Sequence, residues 1–320
     1  MTVYIKKRYV LFTVAIICLS FFGCSNPKSD KVAIANPLQA SKDEHSIAMM
    51  SDTQFYSQSN PEIFYKMTQY LVDNAKTLNL SYVMHTGDIV ENFDNEAQWQ
   101  VASTAMQTLK NIPHGVLAGN HDTGLPPDRR ANYGKYFGEW RFKDNNWYGE
   151  SHENNSAHYD LVKIGKTNFI FVYISDEPNQ CCIDFANAAF KKYSDYVGVL
   201  CVHNYLTPEQ ILSPIGEQLK QNIVSKNKNV YMVFSGHFFA TYCLPTQIDD
   251  NGDGINDRTV YQIIANYQQL HNSGYMLILK IDESKGTVSA QSYSPITNDY
   301  LQDDNGISTS RFSFQAPWNM

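Results

Sequence analysis

Five short apolar runs in this chain each stop at a side chain able to bind a metal, and that recurrence constrains the fold more than any other feature. The runs end at Asp52 with Gln54, at Asp88, at Asn120 with His121, at His203 and at His237. Short apolar runs bounded by Gly or polar residues read as strands, and helically spaced segments lie between them. Strand–helix alternation followed by a strand-rich tail predicts an α/β body with a second, more antiparallel sheet. In open α/β sheets ligands gather beyond the carboxyl ends of strands, so strand ends scattered in sequence can converge on one crevice. Singly, each feature has a plain alternative. Asp52 reads equally as a solvated strand-end acid, Gly87-Asp88 as a turn, His237 as a structural histidine, and part of Gly119-Asn120-His121-Asp122 as turn chemistry. The ordered recurrence is what points to a site.

The expected strands cover 45–51, 82–86, 115–118, 197–202 and 230–234, with a hairpin of 157–164 and 168–175 around Gly165-Lys166. Helices are expected over 61–78, 95–109, about 185–193 and part of 208–224. Residues 123–155, rich in aromatics, Gly and Asn, show no period and predict a long excursion whose aromatics pack it down. Arg129 and Arg130 within it are read as solvated.

Carboxylate and amide oxygens mixed with imidazole suit Mn²⁺, Fe or Zn²⁺ rather than thiolate-seeking metals. Two such ions can hold the attacking and leaving oxygens of a phosphoryl displacement, with a carboxylate as the bridge. The series Asp52-Thr53-Gln54, Gly87-Asp88-Ile89-Val90-Glu91-Asn92, Gly119-Asn120-His121-Asp122, Val202-His203-Asn204 and Ser235-Gly236-His237 resembles the calcineurin-like metallophosphoesterases. The resemblance covers about residues 46–240. It implies a four-layer α/β/β/α sandwich with two mixed sheets, and a hydrolase acting on a phosphate mono- or diester. It also implies that Asp88 bridges two metals, that Asp52 and Gln54 serve the first, and that Asn120, His203 and His237 serve the second. His121 would face the phosphate as a general acid or transition-state donor. Two positions depart from the family pattern. Gln54 stands where a His is usual, and Phe239 replaces the second His of Gly-His-x-His, leaving the first site without imidazole and shifted toward harder ions such as Mg²⁺ or Mn²⁺. One or two bound ions are therefore expected. A non-catalytic lipoprotein that kept the fold but lost one metal site is the alternative reading.

Formal charge is −7, with 25 basic and 32 acidic side chains, so the chain lacks the basic footprint of a dedicated nucleic-acid binder. A phosphorylated small molecule or other phosphoester is the expected partner, and a bound metal would supply the local positive charge. Lys6-Lys7-Arg8 precedes an apolar run over 9–22, too short for a membrane span and shaped like a secretory signal. Cys24 follows Gly23 as in a bacterial lipobox. The expected organisation is a lipoprotein signal peptide over 1–23, a flexible tether over 24–44 lipidated at Cys24, and one domain over 45–320, anchored in a bacterial cell envelope. The remaining cysteines show no Cys-x-x-Cys spacing, and no disulfide pairing can be read from them.

A separate pattern lies at Asp249-Asp250-Asn251-Gly252-Asp253-Gly254-Ile255-Asn256-Asp257. Asp249, Asn251, Asp253, the Ile255 carbonyl and Asp257 resemble the first half of a calcium loop of structural role, though Val260 occupies the twelfth position where a bidentate Glu is usual. An Asx- and Gly-rich hairpin turn is the alternative.

Overall fold

A computed structural model describes residues 38–270, 272–302 and 311–318. The signal segment, Cys24 and most of the expected tether lie outside these residues. Within them the tether's far end belongs to the body: Leu38 is buried in a core cluster, and Ala40 donates its N–H to the Thr77 carbonyl.

The layering follows from strands that are apolar on both faces, as buried sheets require. In β1 (Glu44–Met50), Ile47 and Met49 point one way while Ala48 and Met50 point the other. One sheet has the order β13-β12-β11-β1-β2-β3, with β14 sharing the outer edge of β12. These strands are β2 (Leu80–His85), β3 (His114–Val116), β11 (Met276–Asp282), β12 (Thr287–Ser294), β13 (Asp299–Tyr300) and β14 (Arg311–Gln315). The other sheet runs β4-β5-β6-β7-β8-β10-β9. Its members are β4 (Tyr148–His152), β5 (Ala157–Ile164), β6 (Thr167–Ile174), β7 (Val197–Val202), β8 (Val230–Ser235), β9 (Thr241–Ile248) and β10 (Arg258–Ala265). Between the sheets Ile47, Met49, Tyr82 and Met84 meet Phe169, Phe171, Tyr173 and Phe234.

The outer face of the first sheet is covered by α2 (Pro61–Asp73), α4 (Glu96–Gln107), α5 (Ala131–Phe137) and α6 (Glu139–Phe142). The outer face of the second is covered by α7 (Gln180–Lys192) and α8 (Pro214–Asn222). Three apolar layers between four structural ones make the α/β/β/α sandwich, and both sheets mix parallel and antiparallel pairs.

Helix starts follow local chemistry. Asn95 caps α4 by accepting the Ala97 N–H at 3.1 Å, and Asn179 caps α7 through the Cys182 N–H at 2.9 Å. Ser213 caps α8 with Pro214 at its first position.

Three expectations are corrected. The helix over 61–78 divides into α2 and α3 (Ala75–Leu78) at Asn74, whose φ of −105° and ψ of 6° depart from helical values and whose side chain bonds back to the Tyr70 carbonyl. The stretch 123–155 is not a bare excursion: it forms α5, α6 and β4, though Tyr133, Phe137 and Trp147 pack inward as expected. Thr241–Ile248, for which no element was expected, is an edge strand containing Pro245, a residue tolerated only at such edges. The four described cysteines are unbonded. No described helix is long and apolar enough to cross a membrane.

Candidate metal centre

β1, β2 and β3 are mutually parallel, as are β6, β7 and β8, and the two sets bring their carboxyl ends to one seam between the sheets. His203, 1% exposed, follows β7. Its Nδ1–H donates to the Thr86 carbonyl at 2.8 Å, which fixes the ring and leaves Nε2 facing the seam. Around that nitrogen stand Asn120 Oδ1 at 2.9 Å, His237 Nδ1 at 3.2 Å and Asp88 Oδ1 at 3.3 Å. Bonds of about 2.0–2.2 Å to one cation put neighbouring donors roughly 3 Å apart, so these four groups have the spacing of a coordination shell.

The other half of the seam is made of oxygens. Asp52 accepts the His237 N–H at 3.1 Å, and Gln54 donates through Nε2 to Asp88 Oδ2 at 3.3 Å. Gln54 Oε1 is buried with no hydrogen-bond partner. A stranded carbonyl oxygen costs about 1–3 kcal/mol, and a hard cation beside Asp52 and Asp88 is a partner that fits it. Phe239 is 36% exposed and offers no donor. Gln54 also begins α1 (Gln54–Ser59), a short helix the sequence did not reveal.

The backbone is bent to this purpose. Asp52, Asp88 and His237 lie at φ 53°, 51° and 69°, in the left-handed region, which costs non-glycine residues about 1–3 kcal/mol each and persists where surrounding structure enforces it. Glycine is required beside them. A Cβ on Gly87 would sit 2.7 Å from the Gly119 nitrogen, and one on Gly119 would collide with Asp88 itself.

Charges in the seam are strongly coupled. Burial pushes the Asp52 carboxyl up to about 7, only partly offset by His203. Burial opposes charge on His203, yet Asp88 and Asp52 outweigh it and carry its pKa to about 10, while Asp88 is held below its ordinary value despite burial. Burial and the His203 charge depress His237 to about 4. An imidazole made this basic by carboxylates is also a strong ligand once a cation displaces its proton.

His121 lies beside the cluster rather than within it. Its N–H donates to Asp88 Oδ1 at 3.0 Å, and its Nδ1–H donates to the Glu91 carbonyl at 3.1 Å, leaving Nε2 as the titrating nitrogen. Half burial opposes its charge, but Asp88 and Glu91 outweigh burial and raise its pKa.

Several supporting residues had no assigned role in the sequence. Asp122 accepts N–H groups from Ile89, Val90 and Gly119 at 2.8–3.0 Å, latching the loop after β2 to the loop after β3. His85, buried inside β2, accepts the Gly87 N–H at 3.2 Å and donates to Thr53 Oγ1 at 3.0 Å, and burial lowers its pKa to about 3. The end of β6 also reaches the seam: Ser175 accepts the Ala118 N–H at 3.1 Å, and Asp176 acts electrostatically on His203. Asn266, after β10, donates to the His237 carbonyl at 3.1 Å. Arg129 and Arg130 are not simply solvated. Arg129 pairs with Glu177, and Arg130 donates to the Asp176 carbonyl.

The acidic loop at 249–257 connects β9 to β10 and takes the Asx-turn form. Asp249 accepts N–H groups from Gly252 and Gly254, Asn251 accepts from Asp253, and Asp253 from Ile255. Asp257 accepts the Asp250 N–H, while Asp250 forms a buried pair with Arg258. Among the described residues the groups of three or more His, Cys, Asp or Glu side chains with metal-ligand proximity do not include this loop. They do include Asp88, His203 and His237.

Residues 45–239 match the calcineurin-like phosphoesterase family. An uncharacterised Bacillus subtilis protein, YvnB, is 39% identical over 289 residues, which is 88% of this chain but 22% of that protein. The chain therefore spans less than a quarter of this relative's length. A purple acid phosphatase from yellow lupin seeds superposes with a TM-score of 0.56 at 11% identity, over 87% of this chain and 54% of its own. That likeness concerns the fold, and the sequence match supplies the rest: this chain is a member of the calcineurin-like phosphoesterase family.

Proposed function

We propose that this chain hydrolyses a phosphate ester in the crevice between its two sheets. The observation that carries the reading is the convergence of Asp88, Asn120, His203 and His237 around one point, with the donor-free Gln54 oxygen beside it. Asn120, His203, His237 and Asp88 would hold one divalent cation, and Asp52, Gln54 and Asp88 a second. Bound there, such cations activate water for attack and neutralise charge on the phosphoryl oxygens. The chain's own residues do the rest. The left-handed backbone at Asp52, Asp88 and His237 aims their side chains before substrate arrives. His121, more basic than an ordinary histidine and free at Nε2, carries the proton that the leaving oxygen requires. Asp122 holds the two loops that present Asp88 and His121 in register.

A cleft of about 330 Å³ opens beside Asp52, lined by Phe55, Tyr56, Gln58, Asn60, Gln268 and Asn272. Apart from Asp52 this lining is uncharged, and it combines aromatic faces with amides, which favours a neutral, hydrogen-bonding ester group over a charged one. We further infer that Cys24 tethers the domain to a bacterial envelope, supported by the basic-then-apolar leader before it. Acyl modification of Cys24, read by mass spectrometry of the membrane fraction, tests that point.

For activity the decisive assay is hydrolysis of p-nitrophenyl phosphate and its bis ester by the purified protein with added Mn²⁺. Turnover that survives both Asp88→Asn and His121→Ala would defeat the proposal. Phe239 favours one other reading, a binding protein with a single occupied cation site, for which one ion per chain and no turnover is the signature.

A further inference from the structure

A second group of ligand atoms lies away from the crevice. The side chains of His152, Glu153 and Cys182 place one nitrogen, one oxygen and one sulfur within 4.8 Å of one another. Cys182 lies 29 and 30 positions after the adjacent Glu153 and His152, and the three meet where the β4–β5 turn packs on the N-terminus of α7. We propose that these three residues form a separate site for a thiophilic divalent cation of the Zn²⁺ class. The inference does not rest on the phosphoesterase reading.

Each ligand is held for the task. Cys182 is 2% exposed and unbonded in the first turn of α7, where burial and then the Glu153 charge raise its thiol pKa, so the sulfur keeps its proton until a cation displaces it. His152 ends β4, its ring stacked 6.1 Å from Phe185 on the next turn of the same helix. Its Nε2 is shielded from solvent with no hydrogen-bond partner, and its nearest acid is Glu153 Oε1 at 3.5 Å. Asn179 organises the rest: its Oδ1 accepts the Cys182 N–H at 2.9 Å while its Nδ2 faces the Glu153 carboxylate at 3.3 Å. The turn itself is unusual. Glu153, Asn154 and Asn155 have φ of 46°, 50° and 75° in succession, and buried Asn155 pins them by donating to the Phe137 carbonyl at 2.8 Å.

One thiolate, one imidazole and one carboxylate match the borderline-soft preference of Zn²⁺, and disfavour Mg²⁺ or Ca²⁺, which seek oxygen. The His152 and Glu153 side chains are 33% and 47% exposed, so a fourth position opens to water. On binding, the sulfur–metal bond forms as the Cys182 proton leaves to solvent. The ion would staple the β4–β5 turn to α7, directly behind the loop that carries Asp176 to the crevice.

The crevice contains no sulfur ligand, so the two sites are separable by spectroscopy. Titrating the full chain with Co²⁺ is expected to produce a thiolate-to-cobalt charge-transfer band that saturates at one ion per chain. Cys182→Ser should abolish the band, and His152→Ala should weaken cobalt affinity at this band by at least about tenfold. Cys181→Ser and Asp88→Asn should leave it intact. His152 is partly exposed, so its variant reports on binding even where Cys182→Ser disturbs the core. Absence of the band in the parent protein, its persistence in Cys182→Ser, an unchanged titration in His152→Ala, or its loss in Asp88→Asn would each overturn the assignment.

Discussion

The two halves of the crevice share Asp88 but are built from different donors. One half joins two imidazoles to an amide and a carboxylate, with the His203 ring fixed from behind by the Thr86 carbonyl. The other has Asp52 and Gln54, and its remaining family position is the donor-free Phe239. The difference teaches that the left-handed backbone at Asp52, Asp88 and His237 is kept on both sides of the seam, whatever donors complete each half. Asp52 holds a φ of 53° and accepts the His237 N–H although its side of the seam offers no imidazole ring.

The largest effects should fall on the imidazole half. Removing His203, with His203→Ala, should abolish both Mn²⁺ retention and turnover, while Asp52→Ala should leave one tightly held ion. Equal metal loss in the two variants, measured by elemental analysis, would erase the distinction. Next in size, His121→Ala should lower kcat by about 10²–10⁴-fold with metal content unchanged, since the ring supplies a proton rather than a ligand. A fall in metal content would instead place His121 in the shell.

Asp122→Ala strips three backbone N–H groups of their acceptor and should destabilise the fold by about 1–3 kcal/mol in denaturant titration. Phe239→His should sharpen the comparison by giving the oxygen half an imidazole, raising affinity for its ion by at least about tenfold in isothermal titration. A variant that binds no better would mean that position 239 lies out of reach of the ion.

A last prediction contrasts the charged His203 with imidazoles buried in the packing. Burial holds His158 near pKa 3 and His114 near 4, below the ordinary 6.5. Both are neutral in the folded protein and gain protons on unfolding, so their stabilisation is complete above pH 6.5 and is lost as pH falls toward 3–4. His158→Phe, which keeps the stack on Tyr173, should flatten the acid limb of the stability curve by up to roughly 1.4 kcal/mol per pH unit. An unaltered limb would show that the ring is not what titrates.

Legibility followed the range of the physics. The strand ends were readable because each is a local statement, an apolar run meeting Gly and a polar ligand. The four layers came from the family resemblance, and the burial of both faces of β1 agrees with them. Asp122 was visible as part of a motif, but its role needs the β2 and β3 loops side by side, and His85 looked like one more strand residue. The end of β6 was read only as the close of a hairpin, because neither Ser175 nor Asp176 advertises a cation. α5 escaped notice because Gly134 and Asn132 dilute its period, and β9 because an edge strand alternates weakly and carries Pro245. His152 and Cys182 had no spacing to betray them.

One feature of the seam reaches beyond chemistry. Its candidate ligands come from both sheets, Asp52, Asp88 and Asn120 from one side and His203 and His237 from the other. Any ion lodged there acts as a rivet across the sandwich, adding its binding energy to the apolar packing and the hydrogen bonds, such as Tyr82 to Tyr173 at 2.9 Å, that join the two layers. Chelation should thus loosen the joint first at its rim, so that metal supply would govern how firmly the halves of the molecule are closed.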